Sequence, residues 1–336
     1  MSLSSQEHDN LTRWKEGRKG FYEVYYLKWN DLANQRAVWL RYTLLAPINR
    51  PPEVSAWAIV FDAKNPAANF GLKKTYPISE ARIEREFFYF SAGPSAIFDA
   101  GCRGELSDAR NALSWEIKFE DPSQALRHYP APLYWGSFPK TKFLAPYVTM
   151  RVSGEFIHNG QPSNLDKLPA HQAHIWGTEM GHSWYWGNCN TFEEDPNFWF
   201  EGFSARMNFG EKQTPPFNVF AFHWEDNLYR LGNPLHWIRN KSEGALDRWH
   251  IEGRTGDLLF VGDVRTQPEQ MAGVHYEDTN GSDRFCHNTK TADMTVQVFR
   301  EKKSGWELLK TLIAVKSAAF EVVQPTLDPR VRLLIP

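Results

Sequence analysis

Hydrophobic and polar residues alternate with a period of two along most of this chain. Val38, Leu40 and Tyr42 interleave with Trp39, Arg41 and Thr43, and Val148, Met150 and Val152 with Thr149, Arg151 and Ser153. Met294, Val296 and Val298 interleave in the same way with Thr295, Gln297 and Phe299. Successive side chains of a strand point to opposite faces, so each run predicts a half-buried antiparallel strand with one polar face. Turn dipeptides separate the runs: Asn30-Asp31, Asn159-Gly160, Asn280-Gly281 and Ser304-Gly305. Helical spacing is confined to a turn or two within Ser123 to Tyr129 and to part of the N-terminal tail. Many short strands and few helices predict an all-β fold of sandwiches or barrels.

The strand pattern repeats. Gly20 opens an aromatic strand that ends at Trp29 and leads through a polar turn to Val38-Trp39-Leu40-Arg41-Tyr42. Gly181 opens a second aromatic strand that ends at Asn190 and leads through Glu193-Glu194-Asp195 to Phe198-Trp199-Phe200-Glu201-Gly202. A third strand follows each time, Ala56 to Phe61 and Val219 to Trp224. A period of about 160 residues is a domain duplication, since solenoid units are far shorter. Antiparallel sheets of about eight strands close into barrels that hold a ligand. The expected fold is therefore all-β, with two lipocalin-like antiparallel barrels in tandem over residues 1–170 and 171–336. The Pro-containing polar stretch Gln161 to Pro169 is the expected linker.

Composition narrows the function. With 336 residues, 42% of them apolar and 23% charged, the chain has ample core for two domains. A net charge of -2 with scattered Lys and Arg offers nucleic acid no basic field. No apolar run is long enough for a transmembrane segment, and Met1 to Gly20 lacks the apolar centre of a signal peptide. Cys102, Cys189 and Cys286 are odd in number and far apart, which argues against a disulfide framework and for a cytoplasmic setting. Aromatic residues make up 15%, including 14 Trp. A Trp ring wants burial while its N–H wants a partner, so these residues either fill cores or line a pocket. The expected partner is a hydrophobic small molecule.

Three segments carry a family resemblance. His171-Gln-Ala-His174-Ile-Trp176-Gly177, followed by His182-Ser-Trp184-Tyr-Trp186-Gly-Asn188-Cys189-Asn190, resembles the centre of the tocopherol cyclase-like proteins. Asp283-Arg-Phe285-Cys286-His287-Asn288 through Asp293 resembles a segment near their C-terminal end, and Gly20-Phe-Tyr-Glu23-Val-Tyr-Tyr resembles their first strand. Relatives by fold include the carotenoid hydratases and the AttH-like proteins, which are paired lipocalin-like barrels. The resemblance implies cofactor-free acid catalysis, in which a proton adds to a prenyl double bond and the cation is captured by a phenol or by water. The chain agrees in lacking a phosphate-binding loop, a dinucleotide turn and a nucleophile elbow.

As a strand, Gly181 to Asn190 places His182, Trp184, Trp186, Asn188 and Asn190 on one face, mixed aromatic and polar like a pocket wall. His182-Ser-Trp184 matches a His-x-Trp catalytic element of the carotenoid hydratases. Their Tyr-x-Asp element has no counterpart at comparable spacing, because Tyr276-Glu-Asp278 lies far downstream. Glu201 shares a face with Trp199, and its equivalents in the first repeat are Arg41 and Trp39. The expected catalytic residues are thus His182 and Glu201. The expected ligand-binding residues are Trp184, Trp186, Asn188, Trp199, His174, Trp176, Arg41 and Trp39. The alternative for Glu201 is a solvated carboxylate. His171, His174 and His182 lack the Cys pairs and fixed spacing of a zinc site, and no metal is expected. Cys286 and His287 are adjacent and point to opposite faces, so they are read as structural. The reading is an acid-catalysed cyclase, hydratase or isomerase, with a non-catalytic carrier as the alternative.

Overall fold

The alternating runs become strands, and the strands sort into two large sheets. The computed structural model describes residues 4–210 and 212–336. In the first half, β1 (Phe21–Asp31), β2 (Arg36–Ala46), β3 (Glu53–Asp62) and β4 (Phe70–Pro77) form a meander. β5 (Tyr89–Ala92), β6 (Ser95–Phe98), β7 (Gly101–Ser107) and β8 (Ala112–Glu120) form another. A short β9 (Leu126–Arg127) precedes the long hairpin of β10 (Thr141–His158) and β11 (Gln161–Gly177). That hairpin turns on Asn159-Gly160, both with positive φ, as the dipeptide predicts.

The second half repeats the plan. β12 (Ser183–Cys189) and β13 (Trp199–Arg206) are followed by the small ribbon of β14 (Asn208–Phe209) and β15 (Lys212–Gln213). β16 (Phe217–Trp224), β17 (Asn227–Leu231), β18 (Lys241–Gly244), β19 (Arg248–Thr255) and β20 (Leu258–Arg265) continue the sheet. β21 (Ala272–Glu277), the long hairpin β22 (Asp283–Lys302) and β23 (Gly305–Gln324), and the short β24 (Leu333–Ile335) complete it. The strand orders are β4-β3-β2-β1-β11-β10-β8-β7-β6-β5 and β17-β16-β13-β12-β23-β22-β20-β19-β18. In both sheets the last strand of the long hairpin returns to pair with the first strand. Gly20 and Gly181 thus precede topologically equivalent strands.

Each sheet is a lipocalin-like barrel curled around its own core. Leu27, Trp29, Leu40, Tyr42, Trp115 and Met150 fill the first, and Phe200, Phe222, Trp249, Phe260, Met294 and Phe320 fill the second. A third buried cluster lies between the barrels and draws on both. Consequently β1 and β2 are buried on both faces. The face of Trp39, Arg41 and Thr43, the more polar one, meets the other barrel.

Two local expectations are corrected. Gln161 to Pro169 is not a linker but the outer half of β11, paired with β10. β1 reaches β11 only from Ala170 onward, so Pro162 and Pro169 sit where one edge needs no N–H donor. The break between sheets falls after Gly177, and His171, His174 and Trp176 belong to the first sheet. Ser123 to Tyr129 is not helical; it contributes β9, which pairs with Leu144 and Ala145 and buries Leu126 between the barrels. The tail does form a helix, α1 (Ser5–Asn10), capped by the Ser4 hydroxyl.

Trp249 exemplifies the core. It is fully buried, donates its N–H to Ser242 Oγ at 2.7 Å and has the rings of Phe200, Phe220 and Phe320 within 6.3 Å. Trp249→Ala is expected to cost about 3–5 kcal/mol. Trp135→Ala, at a ring that is 85% exposed, is expected to change stability by less than about 0.5 kcal/mol. Urea denaturation of the two variants checks both values.

Candidate functional site

The period of two sends large aromatics to both faces of the first strands. Phe21, Tyr25, Leu27 and Trp29 of β1 fill the first barrel, while Tyr22, Val24 and Tyr26 turn outward. Trp184 and Trp186 of β12 and Phe203 and Ala205 of β13 turn outward from the second barrel toward them. Bulky rings meeting across two curved sheets leave a gap beside the small Val24, Gly181 and Ala205. The gap is a cavity of about 140 Å³ between the barrels. Trp39, Arg41, Tyr276 and Glu321 also line it, as do Phe138, Phe217 and Trp237. The site expected inside a barrel is therefore corrected: the barrel interiors are filled by their own aromatics, and the opening lies where the barrels meet.

Behind the cavity wall lies a buried acid cluster. Glu201 is wholly buried, and its Oε1 lies 3.6 Å from the Nε2 atoms of both His128 and His171. The Trp186 N–H donates to the same oxygen at 3.4 Å, and Oε2 has no partner. His171 Nδ1 donates to the Val148 carbonyl and His128 Nδ1 to the Phe143 carbonyl, because a carbonyl only accepts. Each neutral ring would then aim an Nε2 lone pair at a carboxylate oxygen, an arrangement that needs a proton between them. Burial pushes the Glu201 carboxyl up, but His171, His128 and the Trp186 N–H outweigh it and hold it below the usual range. Burial pushes His171 down to about 4. The two directions describe a buried carboxylate faced by an imidazole that burial keeps from taking a proton. Tyr26 links this site to the cavity, which it lines, with its hydroxyl 3.4 Å from His171 Nε2.

A second charged group borders the cavity. Glu321 Oε1 accepts from the wholly buried Lys290 Nζ at 2.8 Å, and that ammonium lies 5.3 Å from the Trp186 ring and 5.6 Å from the Trp39 ring. Among the described residues, no group of three or more His, Cys, Asp or Glu side chains is set to hold a metal ion.

The structure brings Trp184, Trp186, Trp39 and Arg41 together at one cavity. Trp199 is buried between the barrels but stacks on His223 away from the lining, and Asn188 is buried with its side chain on the Phe200 carbonyl. His174 sits on the opposite face of β11 from His171. It donates to Glu23, which also accepts from Thr12, Arg13, Trp14 and Tyr25, and so anchors the tail. Trp176 packs with the first barrel's core. His182 bonds Asn208 and Gln213 at the cavity's outer edge. Glu201 is opposite Asn188, six residues along β12, so His182 and Glu201 are roughly 20 Å apart. Tyr276 and Asp278, set aside on spacing, do reach the site. β21 folds Tyr276 onto the cavity, and the Asp278 carboxylate accepts the Met180 N–H beside the lining. His128, just past β9, and Tyr26, one of several aromatics of β1, carried no local signal of their place beside Glu201.

The fold and its relatives agree. The sequence model described as tocopherol cyclase-like matches residues 148–323, just over half of the chain. An uncharacterised protein of Mycobacterium tuberculosis, in strains CDC 1551 / Oshkosh and H37Rv, is 23% identical over 293 residues, which are 86% of this chain and 84% of that one. A putative AttH from Nitrosomonas europaea matches in structure with a TM-score of 0.54 at 9% identity, over 91% of this chain and 93% of its own. CghA matches with a TM-score of 0.54 at 7% identity, over 97% of this chain and 94% of its own. Identities this low establish the double-barrel fold alone. On the match to more than half of its length, the chain belongs to the tocopherol cyclase-like family.

Proposed function

We propose that this protein binds a largely apolar, unsaturated small molecule between its barrels and rearranges it by cyclisation, hydration or isomerisation. The observation that carries this reading is an aromatic cavity with a buried cluster of one carboxyl and two imidazoles one side chain behind its wall. CghA, which shares the fold, has been solved together with Sch210972.

In this mechanism Tyr26 gives its phenolic proton to a ligand carbon as His171 returns one from the shared site. The transfer is concerted, because burial and the Glu201 charge push the Tyr26 phenol well above its usual range and disfavour a free phenolate. The cation meets the ring faces of Trp39, Trp184 and Trp186, which stabilise positive charge. The cluster regains its proton when the cation loses one to a new double bond, or when water or an internal hydroxyl adds. A dry wall protects the cation until then. Glu201 is the proton store here, and His171 and His128 stand beside it where His182 was expected.

One observation favours a carrier instead. Glu201, His128 and His171 do not line the cavity, and Phe143 and Phe203 help cover them. In a carrier the two histidines and the Trp186 N–H are only the partners that a buried carboxylate needs, and no turnover exists.

Three measurements test the reading. Prenyl alcohols and fatty acids should quench Trp fluorescence of the wild type, and Ala205→Phe, which fills the gap, should abolish the response. With the substrate identified by mass spectrometry of molecules released from the purified protein, Glu201→Gln should lower turnover by about 10²-fold or more while affinity changes little. Full turnover in Glu201→Gln puts the acid elsewhere, and no turnover in wild type favours the carrier. The His171 pKa is depressed by folding, so its contribution is present above about 6.5 and lost as pH falls toward about 4. The urea midpoint should fall over that interval, and His171→Gln should flatten the slope.

A further inference from the structure

Arg41 lines the main cavity and, among the described residues, has no carboxylate to answer its charge. It is 7% exposed, yet its Nε and Nη1 have no hydrogen-bond partner, and no carboxylate oxygen lies within 4.0 Å of it among the described residues. An unpaired buried guanidinium is costly, because its N–H groups lose water and gain nothing. Two other cations near it are already matched. Lys290 answers Glu321, and Arg50 bonds both Glu53 and Glu277. Lys73 lies over the Trp57 ring at 4.1 Å, which adds a cation to this end of the cavity and not an anion.

The geometry of the guanidinium is also informative. Its Cζ lies 3.9 Å from the centroid of Tyr276, 5.2 Å from that of Trp57 and 5.9 Å from that of Trp39. These rings offer no acceptor in place of the missing ones, so the N–H groups are left to bond a ligand. Arg41 and Tyr276 both line the main cavity and a smaller one of about 50 Å³. A planar fork of donors matches a carboxylate, which accepts two parallel N–H bonds.

We propose that Arg41 receives a carboxylate on the ligand, so that the molecule bound between the barrels is an apolar acid. Its head lies among Arg41, Tyr276 and Trp39, and its body runs along Tyr26, Trp186 and Phe203 toward Phe138 and Trp237. The assignment rests on the cavity reading above and adds to it the chemical class of the ligand. It also fixes direction: a carboxylate held at Arg41 sets which carbon of the chain passes Tyr26.

Matched probes test it without knowledge of the natural ligand. Oleate, oleyl alcohol and methyl oleate share one chain and differ at the head. Wild type is expected to bind oleate about tenfold or more tightly than the alcohol or the ester, as charge-assisted hydrogen bonds require. Arg41→Met should erase that preference and leave the alcohol within about twofold of wild type, while Arg41→Lys, which keeps charge but not the fork, should retain part of it. Equal wild-type affinity for all three probes, with Ala205→Phe excluding all three, overturns the Arg41 assignment and leaves the cavity reading standing. An oleate preference that survives in Arg41→Met also overturns it. If Ala205→Phe weakens none of the probes, or wild type binds none, both readings fall. The wild-type comparison decides the matter even if Arg41→Met does not fold.

Discussion

The structure depends on burying both faces of its first strands. β1 and β2, and their counterparts β12 and β13, each fill a barrel with one face and press the other against the second barrel. A strand with a period of two cannot make both faces wholly apolar without becoming a uniform hydrophobic run. The polar residues of the outward faces are therefore carried into a dry interface, where an unpaired polar group costs a few kcal/mol.

The interface answers most of them. Lys28 bonds Asn30, and burial pushes its ammonium down to about 8. Asn30 reaches across to the Lys290 carbonyl of the second barrel, and Asn190 reaches back to the Ala170 carbonyl of the first. Lys290 meets Glu321, and Glu201 meets two histidines. These pairings fix the relative register of the barrels as well as satisfying the groups. The low dielectric that makes them necessary also strengthens them, and it gives a proton or a charge placed there more leverage than it has in water. Function and fold thus draw on the same dry layer.

Much of the fold is legible in the residues. Alternation marks Val38 to Tyr42 and Met294 to Phe299 as strands, Asn159-Gly160 marks the tip of the β10–β11 hairpin, and the repeated glycine and aromatic strands mark the duplication. Alternation reports which side chains share a face, because that depends only on neighbouring bonds. It does not report what a face meets. Trp39, Arg41 and Thr43 read as a polar row, and Glu201 as either a catalytic or a solvated carboxylate, until a second barrel covers them. Gln161 to Pro169 looks like a linker because prolines break ladders, and only the position of β1 shows that those prolines lie on a free edge.

The candidate site divides in the same way. Trp184, Trp186, Trp39, Arg41 and Glu201 could be picked from sequence, since a costly residue repeated at equivalent strand positions is a local signal. Their assembly could not. His182 is close to Trp184 in sequence and far from Glu201 in space, whereas His128 and His171, distant in sequence, come within 3.6 Å of it. Strand pairing and barrel contact set those distances, and both are long-range. The chain by itself determined strands, their faces, the duplication and the stock of aromatic and titratable groups. Only the tertiary structure decided that the opening lies between the barrels, that Glu201 comes within 3.6 Å of two histidine rings and that Arg41 is left without a hydrogen-bond partner at Nε and Nη1. Each of these depends on which two outward faces are pressed together, and no local pattern encodes that.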